Sequence, residues 1–244
     1  MDCVVVRVIS YLKDNFVVVL LDRNKSDAKK YYPSGNIEKA QWVLINSDGT
    51  TIKQAAVYGN PVLLPVSEES ALQPQSPYGY HKLLSENICK KYFHLYNIPI
   101  LILRPFSVYG NRLKKQIVWD VCHKMKNNDT IEMFGTGNES RDFIHIDDLL
   151  NCIDLLIKNA NFCADIINIG NGDEVKIKDL VTLIRNHYPN KEVVFTNTTR
   201  IGDPLNWKAD IAKLKKIGYK RSVSLVDGIS QYINWFNDEI LIDA

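Results

Sequence analysis

An α/β architecture built on a largely parallel sheet is the fold class that the 244-residue sequence predicts, and three features predict it. Strand-like and helix-like segments alternate along most of the chain, the pattern of repeated strand–helix units. The clearest strand candidate, FVVVLL at residues 16–21, is β-branched and apolar on both faces, as a strand covered by helices on both sides must be. Three further stretches place apolar residues at helical spacing, so they read as helices with one face on a core.

In chain order, the run at residues 16–21 ends at Asp22, and the polar, turn-rich stretch that follows (RNKSDAKKYYPSGNIEK) leaves only residues 42–46 as a strand candidate before Tyr58. Pro61, Pro65, Pro74 and Pro77 mark a structured connection rather than a linker. A long helix opens at Ser76-Pro77 and continues to Asn97, with Leu84, Ile88, Tyr92 and Leu95 on one face. Residues 100–103, 131–134, 165–169 and 193–195 read as further strands. The helical stripes are Ile146, Leu149, Leu150, Ile153, Leu156 and Ile157, then Ile177, Leu180, Val181 and Ile184, then Leu225, Ile229, Tyr232, Ile233 and Phe236.

Composition narrows the function. Thirty Lys plus Arg stand against 28 Asp plus Glu, for a net charge of +2, so no concentrated field invites a nucleic acid or an anionic membrane. A small-molecule ligand is the better expectation. Arg7, Lys13, Asp14 and Asp22 interrupt the apolar N-terminal region, and Asp2 stands where a secretory leader would be basic. A cytoplasmic protein without a membrane span is therefore expected. The five cysteines form no C-x-x-C pair, which points to buried free thiols and to neither a disulfide framework nor a metal site.

Tyr78 and Lys82 lie four apart and so share a side of the long helix near its N-terminus. A phenol titrates near pH 10, and a neighbouring ammonium favours its anion, so the pair could supply a tyrosinate general base. With 12 tyrosines in the chain, the spacing taken alone equally describes an exposed surface pair. Asp22, at a strand end, has the acceptors to bind an adenosine ribose and would repel a 2′-phosphate, which favours NAD over NADP; Arg23 pulls weakly the other way. A solvated strand terminus or a helix cap is the alternative for Asp22.

Six motifs then occur in one order: AAVYGN (55–60), SPYGYHKLLSE (76–86), LRPFSVYG (103–110), GTGNESRDFIHIDDL (135–149), INIGNG (167–172) and RIGDP (200–204). The series resembles the extended short-chain dehydrogenase/reductase family, in its NAD-dependent nucleotide-sugar epimerase/dehydratase branch, with a UDP-glucose 4-epimerase-like character. The resemblance covers about residues 55–239. It implies a Rossmann-like, mostly parallel sheet with flanking helices and a smaller C-terminal α/β lobe for substrate. Residues 1–110 would form the NAD-binding region, with about 140–170 returning to it, and residues 111–244 mainly the substrate lobe.

By the same resemblance, Tyr78 is the catalytic base and Lys82 the residue that holds the nicotinamide ribose and lowers the tyrosine pKa. Asp22 and Pro105 would join them around the cofactor. Ser107, Arg141, Arg200 and Asp203 would bind the nucleotide-diphosphate sugar, the arginines because a guanidinium fork matches phosphate oxygens. A salt bridge to Asp142 or Asp147 is the plainer reading of Arg141, and a simple turn that of RIGDP. The helix over residues 78–97 resembles the family's dimer helix, which implies a homodimer.

Two departures accompany the resemblance. Residues 1–34 contain no glycine, whereas a dinucleotide fold needs a glycine loop where backbone amides approach the pyrophosphate. At about 30 residues per strand–helix–strand unit, a whole cofactor half ahead of Tyr78 would need well over about 100 residues, against the 77 present. An abridged cofactor half, lacking the first strand and its loop, is thus expected. In addition, Gln54 stands where the family carries a serine or threonine, and Gln54, Ala55 and Ala56 offer no acidic pair, so an epimerase is implied rather than a dehydratase. The competing reading is a catalytically impaired member that binds a nucleotide sugar or a partner subunit.

Overall fold

The computed structural model describes residues 42–44, 54–198 and 204–242. The strand expected at residues 16–21 lies outside the described residues, together with Asp22, Arg200 and Asp203. At the centre, β1 (Trp42–Leu44), β2 (Ile100–Pro105) and β7 (Cys163–Ile169) pair in parallel in the order β1-β2-β7. Every residue of β2 is buried, which is why its sequence ILILRP shows no polar alternation. The register of β2 on β7 shifts between Ile100 and Leu101, where Ala164 is the extra residue and takes a left-handed φ of 62°. Short pairs complete the sheet structure: β3 (Ser107–Tyr109) with β6 (Phe143–His145), β4 (Thr130–Met133) with β9 (Glu192–Phe195), and β5 (Ser140–Arg141) with β8 (Val175–Lys176).

The longest helix, α1 (Pro77–Tyr96), begins and ends as its sequence dictates. Ser76 is extended and its hydroxyl accepts from the Gly79 amide at 3.2 Å, Pro77 occupies the first helical position, and Asn97 closes the helix in the left-handed region. The helices α2 (Gln116–Asn127), α3 (Ile146–Asn159), α4 (Ile177–Arg185), α5 (Ala212–Lys216) and α6 (Leu225–Ile242) follow. The strands expected at 100–103, 131–134, 165–169 and 193–195 are present within one or two residues, as are the three striped helices. Of the 42–46 strand, residues 42–44 are described and are strand. The two- and three-residue strands β3, β5, β6 and β8 went unread because such short elements carry no measurable period; the 12-residue helix α2 also went unread, although its Val118, Val121, Cys122 and Met125 recur at helical spacing.

Among the described residues, two large apolar cores result, beside a small cluster of Cys89, Ile100 and Ile102. The first joins Val57, Leu101, Phe106, Ile144, Leu149, Ile169, Trp207 and Leu214 around the central sheet. The second joins Val121, Met125, Ile131, Leu180, Ile184, Tyr232 and Phe236 between α2, α4 and α6. Cys89, Cys122 and Cys152 are buried free thiols, as expected, but Cys163 is exposed because it opens β7 at the margin of the sheet. Among the described residues, no helix is long and apolar enough to cross a membrane.

Candidate active site

The Tyr78–Lys82 pair stands at the opening of α1. The Lys82 ammonium lies 5.3 Å from the centroid of the Tyr78 ring, so the i, i+4 spacing has produced a real approach and not merely a shared face. Both side chains are half-buried. Gly79, between them, packs against the short 3₁₀ turn at Gln54–Val57: a Cβ there would stand 2.7 Å from the Ala56 carbonyl oxygen. Only a glycine lets the first turn of α1 come this close to the backbone ahead of Tyr58.

From that contact the chain runs through Tyr58, Gly59 and Asn60, which form the meeting point of the site. The Trp207 indole donates to the Gly59 carbonyl at 3.0 Å, and the Leu205 amide donates to Asn60 Oδ1 at 2.9 Å. Gly59 has a φ of 61°, and a Cβ on it would collide with the Gln73 carbonyl oxygen, so the turn demands glycine. Trp207 also meets Phe106 edge-on at 5.9 Å and lies under the Arg141 guanidinium at 5.8 Å. Arg141 donates to the Ser140 carbonyl at 2.7 Å and to the Leu205 carbonyl at 3.3 Å. The structure therefore packs the first turn of α1, which carries Tyr78, on Ala56, and joins the neighbouring Gly59 and Asn60 to Trp207 and Leu205, on which Arg141 lies, in the stretch that directly follows Asp203.

Pro105 and Ser107 bracket the exit from the central sheet. Pro105 is the last residue of β2, opposite Ile169; Phe106 donates to the Ile169 carbonyl at 2.8 Å and Ser107 to the Asp142 carbonyl at 2.9 Å, which turns the chain from β2 into β3. Asp142 stabilises the neighbouring loop rather than pairing with Arg141. Its carboxylate accepts the backbone amides of Asn171 at 2.7 Å, Gly172 at 2.9 Å and Ala209 at 3.0 Å. Burial nevertheless pushes the carboxyl up to about 7, against the pull of those amides.

Beneath the site runs a buried polar chain that the motifs contained but whose roles were not read from them. Arg104 forks onto Glu86, with Nε donating to Oε1 at 2.8 Å and Nη2 to Oε2 at 2.6 Å. Its Nη1 donates to the Tyr58 hydroxyl at 2.7 Å, and Tyr58 in turn donates to Asn168 Oδ1 at 2.7 Å. Burial pushes the Tyr58 phenol up to about 12 and by itself would lower Arg104, but the Glu86 carboxylate and Tyr58 outweigh it and hold the guanidinium charged. One sequence signal could have exposed this network: a charged residue inside the apolar run LILRP can be buried only with a partner.

Comparison with known proteins places this geometry. The family model described as the NAD dependent epimerase/dehydratase family matches residues 51–170. A putative UDP-glucose 4-epimerase of Methanocaldococcus jannaschii is 33% identical over 187 residues, 75% of this chain and 60% of its own length. The solved UDP-glucuronic acid 4-epimerase of Bacillus cereus, in complex with UDP-glucuronic acid and NAD, superposes with a TM-score of 0.71 at 30% identity, covering 77% of this chain and 60% of the other.

The chain belongs to the NAD-dependent epimerase/dehydratase family.

An uncharacterized UDP-glucose epimerase of Bacillus subtilis adds a third likeness, 33% identical over 70% of this chain and 55% of its own. The chain spans 60% or less of the length of these epimerase/dehydratase relatives. The matched segment carries the Rossmann-like α/β fold with parallel strands, as the motif series implied.

Proposed function

We propose that this protein carries out NAD-dependent oxidation and reduction at a sugar carbon of a nucleotide-diphosphate sugar, in the cytoplasm, and that it epimerises rather than dehydrates. The observation that carries the proposal is the Lys82 ammonium over the Tyr78 ring, at the helix terminus that packs on residues 56–60. The relatives, named as epimerases of UDP-glucose and UDP-glucuronic acid, favour a UDP-sugar and a catalytic role over a purely binding one.

The described residues fit the nicotinamide-ribose end of the cofactor, because Tyr78 and Lys82 supply a phenol and an ammonium side by side. Lys82 and Pro105 would hold that end, and Asp22 the adenosine ribose. When bound, the nicotinamide supplies a hydride acceptor and donor. Tyr78, held as tyrosinate by the Lys82 ammonium, takes the proton of the sugar hydroxyl as the carbon is oxidised and returns it when the keto sugar is reduced on its other face. Ser107 takes part in binding the nucleotide sugar. Arg141, with Arg200 and Asp203, grips the diphosphate and ribose of the nucleotide. Residues 1–110 with about 140–170 are assigned to the cofactor, and residues 111–244 mainly to the substrate.

The same proposal includes a homodimer through α1. Leu84, Ile88, Tyr92 and Leu95 are all more than half exposed, while the buried residues of the helix are Gly79, Glu86 and Cys89. A row of large apolar side chains facing outward is the feature of an interface helix. Replacing both Leu84 and Ile88 by lysine should convert a dimer into a monomer in sedimentation; an unchanged sedimentation coefficient would exclude this helix.

Isothermal titration with NAD and a panel of UDP- and dTDP-sugars, followed by turnover assays, tests the activity. NAD binding and interconversion of one sugar pair are expected, with turnover falling by about 10²–10⁴-fold in Tyr78→Phe while the fold is retained. Binding of a nucleotide sugar without NAD, or turnover unchanged in Tyr78→Phe, would reject the mechanism.

A further inference from the structure

Tyr78, Lys82 and Glu86 occupy positions i, i+4 and i+8 of α1 and so form one stripe along the helix. An ammonium at i and a carboxylate at i+4 are within reach of each other on any helix, and the two attract. Left to itself, Glu86 would compete with the Tyr78 ring for the Lys82 side chain. In the structure Arg104 orients and neutralises that carboxylate, donating to Oε1 at 2.8 Å and to Oε2 at 2.6 Å, with its own side chain only 1% exposed. Arg104 is fixed in turn by the Tyr58 hydroxyl at 2.7 Å and the Glu68 carbonyl at 3.3 Å, and it stacks on the Tyr58 ring at 4.7 Å.

We infer that Arg104 is a positioning residue for the Tyr78–Lys82 pair: by engaging both oxygens of Glu86, it keeps that carboxylate from drawing the Lys82 ammonium one helical turn away from the Tyr78 ring. The inference rests on the catalytic reading of Tyr78 and Lys82. It also explains a costly arrangement, since a buried ion pair adds little net stability and its worth lies in geometry. The planar fork admits one orientation of Glu86 relative to β2, and the Gly79 contact with Ala56 admits one approach at the other end of the stripe. Lys82 lies midway between these two anchors.

Among the described residues, other charged or titratable groups reach the stripe from several elements. Arg104 is the only one on β2, and the 3₁₀ turn at Gln54–Val57 contributes none. Tyr58 and Glu68 approach from the intervening loop, with Lys213 3.9 Å from Glu68. On β7, Cys163 and Asp165 lie at the Ile100 end of the sheet, away from Arg104, and α1 itself adds His81, the buried Cys89 and Lys90, the last standing four residues beyond Glu86 on the same stripe.

Withdrawing the ammonium removes a charge that favours tyrosinate, so Tyr78 should titrate at higher pH when Arg104 is lost. The titration can be read as the tyrosinate absorbance difference between each protein and its Tyr78→Phe counterpart, which requires no turnover. Arg104→Gln is expected to raise it by about one pH unit or more, and Glu86→Gln in the same background to return it, because the competing carboxylate is then gone. Arg104→Lys keeps a cation but loses the fork; it should shift the titration in the same direction by less, and it carries the test if Arg104→Gln does not fold. A purely structural role would leave the double variant no better than the single one. The inference is overturned if the titration is unmoved in folded Arg104→Lys and Arg104→Gln, or is not restored by Glu86→Gln. A wild-type protein that turns over no sugar would sink the catalytic reading alone, while the titration still decides the positioning.

Discussion

The core around the central sheet encloses Arg104, Glu86, Asn168 and Asp142, whereas the core between α2, α4 and α6 is lined by Val121, Met125, Leu180, Ile184 and Phe236, with the Tyr232 hydroxyl satisfied by the Leu113 carbonyl at 2.6 Å. The contrast follows from what each must do. Apolar packing is the stronger source of net stability, but it is non-directional and tolerates repacking. Hydrogen-bonded buried charges add little net stability yet fix orientation, since any other arrangement leaves a charge unpaired. The directional core underlies Tyr78, Lys82 and Arg141, which need fixed orientation, and the apolar core supports the lobe behind them.

Three substitutions sharpen or break this contrast. The largest effect on stability is expected from Phe236→Ala in the apolar core: the ring is fully buried and meets Trp119 edge-on at 5.1 Å, so its loss should cost about 3–5 kcal/mol in a denaturant titration. The Tyr78 titration should not move, and a change there would show that the two cores are not separable. Asp142→Asn should cost about 1–3 kcal/mol, because an amide nitrogen would replace one of the acceptors that serve Asn171, Gly172 and Ala209. Greater resistance to urea in that variant would remove Asp142 from the directional core. The smallest stability change, about 1 kcal/mol, is expected for Ser76→Ala, which removes the cap of α1. Its effect on sugar turnover should exceed its effect on stability, since the frayed turn is the one that presents Tyr78; equal effects would count against orientation as the function of this region.

Much of this was legible in the sequence where a pattern was long or a cap was explicit. Ser76-Pro77 announced α1, the stripe from Ile146 to Ile157 announced α3, and the order of six motifs carried the family. The outward direction of Leu84, Ile88, Tyr92 and Leu95 was not legible, because periodicity shows that residues share a face without showing what that face meets. Trp207 was silent for the same reason: the groups its side chain meets, on Gly59, Phe106 and Arg141, are remote along the chain.

The sequence by itself determined the parallel α/β class, the bounds of the long helices and the i, i+4 placement of Tyr78 and Lys82, all of which depend on neighbours a few residues apart. Only the tertiary structure decided that Arg104 takes Glu86, that Asp142 serves backbone amides rather than Arg141, and that residues 56–60 join α1 to the Trp207 segment. Those choices depend on which buried polar group finds a partner across the sheet, and burial makes each pairing obligatory only once the chain has folded.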